Sequence, residues 1–159
     1  MGTEIEHKFL VATQGWREHV DRSQTLRQGY LCVDPARTVR VRLVDSAHGF
    51  LTIKGTRVGN RRAEFEYEIP ASDAAELLDH QCLRPLIEKT RHHLRLSPGE
   101  WIVDEFVADN DGLVLAEIEL AEGQTLGDLP DWLGEDVTAD DRYANANLQV
   151  NPYSSWATR

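Results

Sequence analysis

Period-two alternation, with charges in mid-segment, constrains this chain more than any other feature. A β-strand sends successive side chains to opposite faces, so alternation predicts strands. Eight segments show it: residues 3–11, 25–33, 37–44, 50–55, 61–69, 85–97, 101–108 and 113–120. Short turns separate most of them, at Asp34-Pro35, Ser46 to Gly49, Ser97-Pro98-Gly99 and Ala108 to Gly112. Gly29, inside the second segment, marks a bulge or a close approach of backbones. One helix is predicted over residues 72–80, with Ser72 as N-cap and Ala75, Leu77 and Leu78 toward the core. Residues 128–134 and 139–148 read as small caps on the main body. The predicted fold is α+β and β-dominated: an eight-stranded antiparallel β-barrel with a few short helices, forming one domain over residues 1–159.

An ordinary half-buried strand turns its charges to water, and each strand taken alone fits that description. The set does not. Charges fall in mid-strand, and their sign is sorted by strand. Arg40 and Arg42, Lys54, and Lys89 and Arg91 put cations on the third, fourth and sixth strands. Glu4 and Glu6, and Glu117 and Glu119, put carboxylate pairs on the first and eighth. Arg62 shares the parity of Glu64 and Glu66 on the fifth strand, and Asp104 sits within the seventh. A solvated surface mixes signs. A closed barrel turns this face into a lumen that offers cations to a polyanion and carboxylates to metal ions.

That chemistry suits phosphate. Carboxylate oxygens are hard ligands for Mg²⁺ or Mn²⁺, ions that also bridge phosphate oxygens. Carboxylates at i and i+2 on a strand point the same way, about 7 Å apart. Arg grips phosphate bidentately, whereas Lys acts as a point charge.

The formal net charge of −10 argues against a general nucleic-acid binder. No apolar run reaches the ~18 residues of a membrane span, and no secretory signal opens the chain. Cys32 and Cys82 form no CxxC pattern. They read as packing residues of a protein in a reducing cytoplasm.

The motifs, taken in order, resemble the CYTH domain, the family of triphosphate tunnel metalloenzymes. Glu4-Ile5-Glu6-His7-Lys8 resembles the family's N-terminal ExExK signature. The resemblance continues through Leu26 to Leu31, Arg40 to Arg42, Leu51 to Gly55, Glu64 to Glu66, Glu88 to Arg91, Asp104, Glu117 to Glu119 and Val137 to Leu148. It implies a β-tunnel that binds a triphosphate. The implied metal ligands are Glu4, Glu6, Glu117 and Glu119, with Glu64, Glu66 and Asp104 as contributors, and the implied ion is Mg²⁺ or Mn²⁺. The implied phosphate grip is Lys8, Arg40, Arg42, Lys54, Arg62, Lys89 and Arg91. Lys8 and Tyr30 match a Lys–Tyr pair linked to catalysis in short bacterial members.

The leading expectation is therefore metal-dependent hydrolysis of inorganic triphosphate to pyrophosphate and phosphate. The alternatives are an adenylate cyclase, a nucleoside or thiamine triphosphatase on the same scaffold, and a non-catalytic polyphosphate binder. The partner is a small triphosphate or polyphosphate, with no nucleic acid and no membrane; a homodimer is compatible with such a domain. His92 and His93 adjoin Arg91, and alternation lets only one of them face inward. Trp101, Trp132 and Trp156 read as packing residues, and Glu68 as a rim charge.

Overall fold

The computed structural model of the protein describes residues 2–157, and Glu4 among them by its backbone only. The strands are β1 (Gly2–Val11), β2 (Val20–Asp34), β3 (Arg37–Val44), β4 (His48–Gly55) and β5 (Arg61–Ile69). After helix α1 (Ala71–His80) come β6 (Ile87–Leu94), β7 (Glu100–Phe106), β8 (Val114–Leu120) and β9 (Leu133–Asp136). Helix α2 (Asn145–Val150) follows a 3₁₀ turn at Asp141–Tyr143. Every pairing is antiparallel, in the order β5-β4-β3-β2-β6-β7-β8-β1, and β1 pairs with β5 to close eight strands into a barrel.

Closure is shared. The first half of β1, Gly2 to Ile5, pairs with Arg61 to Glu64 of β5. Its second half gives the same edge to β9, with Phe9 opposite Asp136 and Val11 opposite Leu133. The stretch expected as a cap at 128–134 thus ends in a strand, because the far end of β1 needs a hydrogen-bonding partner. Two further expectations are corrected. The second strand starts five residues earlier than the alternation suggested, and its added residues pair with β6. Helix α1 is capped by Pro70, whose carbonyl accepts from the Ala74 N–H, so Ser72 lies inside the first turn.

Parity sets what faces where. On β1, Ile5 and Phe9 point out of the barrel, into an apolar cluster with Trp16, Trp101, Val103, Ile118 and Trp132. Trp101 and Trp132 meet edge to face at 6.1 Å. Helix α1 covers β3 and β4 with Ala74 and Leu78, against Val41 and Leu43. Gly29 is the predicted close approach: a Cβ there would sit 2.7 Å from Leu86 and 2.8 Å from Cys82. The register shift falls just beyond it, between Tyr30 and Cys32.

A third cluster fills one end of the lumen, where Tyr30, Ile87, Phe106, Leu113 and Leu115 pack with Tyr143 and Leu148 of the tail. The tail therefore plugs the barrel with an apolar floor. Above that floor the interior is polar, the reverse of an ordinary core.

Candidate active site

The lumen holds a cavity of about 370 Å³. Along β6 the inward residues run from Lys89 at the floor, whose ammonium lies 5.1 Å from the Phe106 ring centre, through Arg91 to His93. Along β1 they run from Leu10, packed against the floor cluster, through Lys8 to Glu6, and along β8 from Leu115 through Glu117 to Glu119.

Parity brings all the predicted cations to this cavity: Lys8, Arg40, Arg42, Lys54, Arg62, Lys89 and Arg91 all line it. Arg61, one residue out of phase, turns outward to Glu122. Arg40 is buried; one terminal nitrogen donates to Thr52 Oγ1 at 3.2 Å, while its Nε has no acceptor among the described residues. A buried guanidinium N–H without an acceptor is costly, and an anionic oxygen is its natural complement. Burial, and then Arg40 and Arg91 beside it, push Arg42 well below its ordinary pKa. So many cations facing one another repel, and a polyanion relieves that repulsion.

The acids gather on the other wall. Glu6 stands directly opposite Glu119, and Glu119 opposite Glu100, so three carboxylates form one row across β1, β8 and β7. Like charges directly opposite are destabilising unless a cation joins them. Lys8 supplies one such charge: its ammonium lies 3.7 Å from both Glu6 and Glu117 and donates to the Tyr143 carbonyl at 3.2 Å. Burial pushes the Glu117 carboxyl up, but Lys8, with Lys89 and Arg91 behind it, outweighs this and holds it below the usual range. Glu64 and Glu66 line the cavity from β5, and Thr52 donates to Glu66 at 3.0 Å. Hard oxygen donors in a row of like charge fit a divalent ion. Among the described residues, no three acids already converge on one point. The side chain of Glu4 lies outside what is described.

Asp104 already has partners within the protein. It is fully buried, and it salt-bridges Lys89 at 2.7 Å and Arg91 through two bonds of 2.9 Å. Burial pushes its carboxyl up, but Arg91 and Lys89 overcome this and hold it far below the usual range. Its oxygens are engaged by two cations, for which it is the counter-ion. Arg91 is held above its ordinary value, since Asp104 more than offsets burial. Lys89 goes the other way: burial, with Arg91 and Arg42 nearby, outweighs Asp104 and lowers it to about 7.

Tyr30 lines the cavity together with Lys8 and is buried in the floor cluster. His93 faces inward and bonds Gln24 at 2.7 Å. His92 faces outward, between Ser23 and Glu105. Glu68 is exposed beside His48. Several lining residues escaped the sequence reading: Arg57 and Asn60 from the β4–β5 loop, Glu100 at the start of β7, and Thr138 and Asn145 from the tail. Glu100 shares the parity of Asp104 and was legible; the loop and tail residues carry no periodic signal. Arg57 ties its loop to the tail, donating to the Thr138 carbonyl at 2.9 Å and pairing with Asp141.

The CYTH domain model matches residues 2–147. The chain belongs to the CYTH domain family. Among curated relatives, this CYTH domain is 44% identical over 156 residues to an inorganic triphosphatase of Acetivibrio thermocellus, covering 98% of this chain and 99% of the relative. It is 35% identical over 153 residues to an inorganic triphosphatase of Nitrosomonas europaea, covering 94% and 98%. Its fold matches the crystal structure of the inorganic triphosphatase NE1496 with a TM-score of 0.65 and 32% identity, over 92% of this chain and 97% of that one. HpAC1 from Hippeastrum, at 15% identity and a TM-score of 0.59 over 75% and 80%, shares the fold alone.

Proposed function

We infer that this CYTH domain is a hydrolase of inorganic triphosphate, releasing pyrophosphate and phosphate with the help of a divalent metal ion. The observation that carries the reading is the division of one enclosed lumen into a cationic wall and an acidic row, in a chain 44% identical to an inorganic triphosphatase along its length. A phosphate-binding protein gains nothing from acids that repel its ligand, so the row argues for an ion and for turnover. A cyclase reading draws no support from curated relatives, which are triphosphatases.

In the proposed mechanism, Arg40, Arg42, Arg62 and Lys54 bind the phosphate chain, and Lys89 and Arg91, held by Asp104, bind it near the floor. Charge neutralisation and alignment supply most of what phosphoryl transfer asks of a protein. Glu6, Glu117 and Glu119, with Glu4, Glu64, Glu66 and Glu100 as further donors, would hold Mg²⁺ or Mn²⁺. Such an ion neutralises phosphate oxygens and lowers the pKa of attacking water. Lys8, set between Glu6 and Glu117, stabilises charge on the oxygens of the phosphoryl group under attack, and Tyr30 lines the same space.

No helix among the described residues is long and apolar enough to cross a membrane. Cys32 and Cys82 are free thiols, which supports a cytoplasmic setting. The test is a panel of triphosphate, pyrophosphate, ATP, thiamine triphosphate and long-chain polyphosphate, each with Mg²⁺ and Mn²⁺. The expected result is preferred cleavage of triphosphate that chelator abolishes and either ion restores. Full turnover in excess chelator, or a preference for ATP with cyclic product, overturns the reading.

A further inference from the structure

Asn145 enters the lumen from the first turn of α2, distant in the chain from the strands that carry the charged motifs. Its Oδ1 accepts from Lys89 Nζ at 2.9 Å and from Gln28 Nε2 at 3.0 Å. Gln28 is fully buried on β2, and its Oε1 accepts from Arg42 Nε at 3.0 Å. One hydrogen-bonded line thus runs from β6 through α2 and β2 to β3.

The chemistry fixes the direction of that line. In its charged form Lys89 only donates, so Asn145 turns its oxygen to it. The same oxygen then requires a donor from Gln28, which sets the Gln28 amide with Nε2 toward Asn145. That leaves Gln28 Oε1 for Arg42, whose guanidinium also only donates. Without Asn145 the Gln28 amide keeps only its bond to Arg42, so it no longer holds the guanidinium against a second fixed point.

Arg42 depends on this line. No carboxylate pairs with it among the described residues, so a neutral amide on Nε is its hold. The terminal nitrogens stay available for a phosphate in bidentate geometry. A carboxylate partner would have cancelled the charge that the ligand needs. Lys89 likewise receives a neutral acceptor beside the Asp104 carboxylate.

We propose that Asn145 is a positioning residue for the phosphate grip: from the tail helix it orients Lys89 directly, and Arg42 through Gln28, without spending the charge of either. The proposal rests on the reading of the lumen as a triphosphate site. It assigns the C-terminal helix a part in substrate affinity in addition to its part in packing.

The experiment measures triphosphate binding by titration calorimetry with metals chelated, so that turnover is not needed, alongside steady-state kinetics with Mg²⁺. Asn145→Ala is expected to weaken binding and raise KM about tenfold, with kcat changed less than about threefold. Asn145→Asp keeps the shape and both accepting positions but gives Lys89 a second carboxylate. It is expected to weaken binding at least as much while leaving thermal stability near that of the parent. Asn145→Ala combined with Arg42→Ala should lose less than the sum of the two single losses.

Asn147 serves as the control. It sits on the same helix and donates to the Asp141 carbonyl at 2.6 Å, away from the cavity. Asn147→Ala should lower the melting temperature without changing KM. If Asn145→Ala behaves like Asn147→Ala, or if Asn145→Asp binds triphosphate as the parent does, Asn145 is only a helix residue and the proposal fails. A parent that binds triphosphate but does not hydrolyse it overturns the proposed activity and leaves this inference standing. A parent that does not bind triphosphate overturns both.

Discussion

At the floor of the lumen Asp104 is fully buried, with Lys89 and Arg91 both within 2.9 Å. Toward the mouth, Glu119 is exposed and has Glu6 and Glu100 as its cross-strand neighbours. The same kind of group is used in two ways. At the floor a carboxylate is neutralised from within the protein, because a buried charge without a partner costs several kcal/mol. At the mouth, water lets carboxylates stand side by side at modest cost, and their repulsion is what the proposed ion would relieve. Depth in the barrel, more than residue type, decides whether an acid is neutralised from within the protein or left beside other acids.

The largest effect that would test this contrast is at the floor. Asp104→Asn leaves Lys89 and Arg91 buried without their shared counter-charge, with an expected loss of about 3–5 kcal/mol of stability. Thermal and denaturant unfolding check it. A variant with normal stability and only a fall in kcat would put Asp104 back among the metal ligands and erase the contrast. The sign with pH follows from the depressed carboxyl of Asp104. Its contribution is fully present above the unfolded value of about 3.9 and is lost as pH falls through the folded value, so acid should weaken the parent more than Asp104→Asn.

At the mouth the expectation inverts. Glu119→Gln should lower kcat by about 10²-fold, roughly 3 kcal/mol of transition-state stabilisation, without loss of stability. Relief of repulsion with Glu6 and Glu100 should even stabilise the fold slightly. Near-normal kcat would return this row to a solvated face.

A smaller effect separates grip from chemistry. Arg40→Ala should raise KM about tenfold with little change in kcat, because its proposed role is to hold the phosphate chain in ground and transition state alike. Lys8→Ala should lower kcat more than it raises KM, since Lys8 sits between two acids of the proposed ion site. Steady-state kinetics at saturating metal decide it; a pure KM effect at Lys8 makes it one more clamp.

The smallest effect is in pH. Lys89 sits at about 7, so the free enzyme loses this charge as pH rises through that value. Arg in its place stays charged. The ratio of kcat/KM for Lys89→Arg over the parent should therefore climb about threefold to tenfold between pH 6 and pH 8.5. Taking the ratio cancels the ionisation of the substrate itself. A flat ratio would show that Lys89 keeps its proton throughout. For stability, a depressed Lys means that the folded state binds fewer protons than the unfolded one between about 7 and about 10.4, so this group favours folding more as pH rises across that window.

Alternation along the chain is enough to predict the barrel wall and its inner face. Period-two parity assigned Arg40, Arg42, Arg62, Glu64, Glu117 and Glu119 to one side, and all of them line one cavity. It also separated Arg62 from Arg61, and it required His92 and His93 to face opposite ways. Parity is a local consequence of backbone geometry, so it survives whatever the strands pack against. Depth is not local. That Asp104 lies at an apolar floor, beside Lys89 and under the plug of Tyr143 and Leu148, depends on how the tail returns to the far end of the barrel. The same return places Asn145 between Lys89 and Gln28, and the β4–β5 loop places Arg57 against Thr138. These contacts join residues 56 to 117 positions apart, and no period in the chain encodes them. They arise on folding, because the free energy of a charge is set by its surroundings, and those are assembled from distant segments.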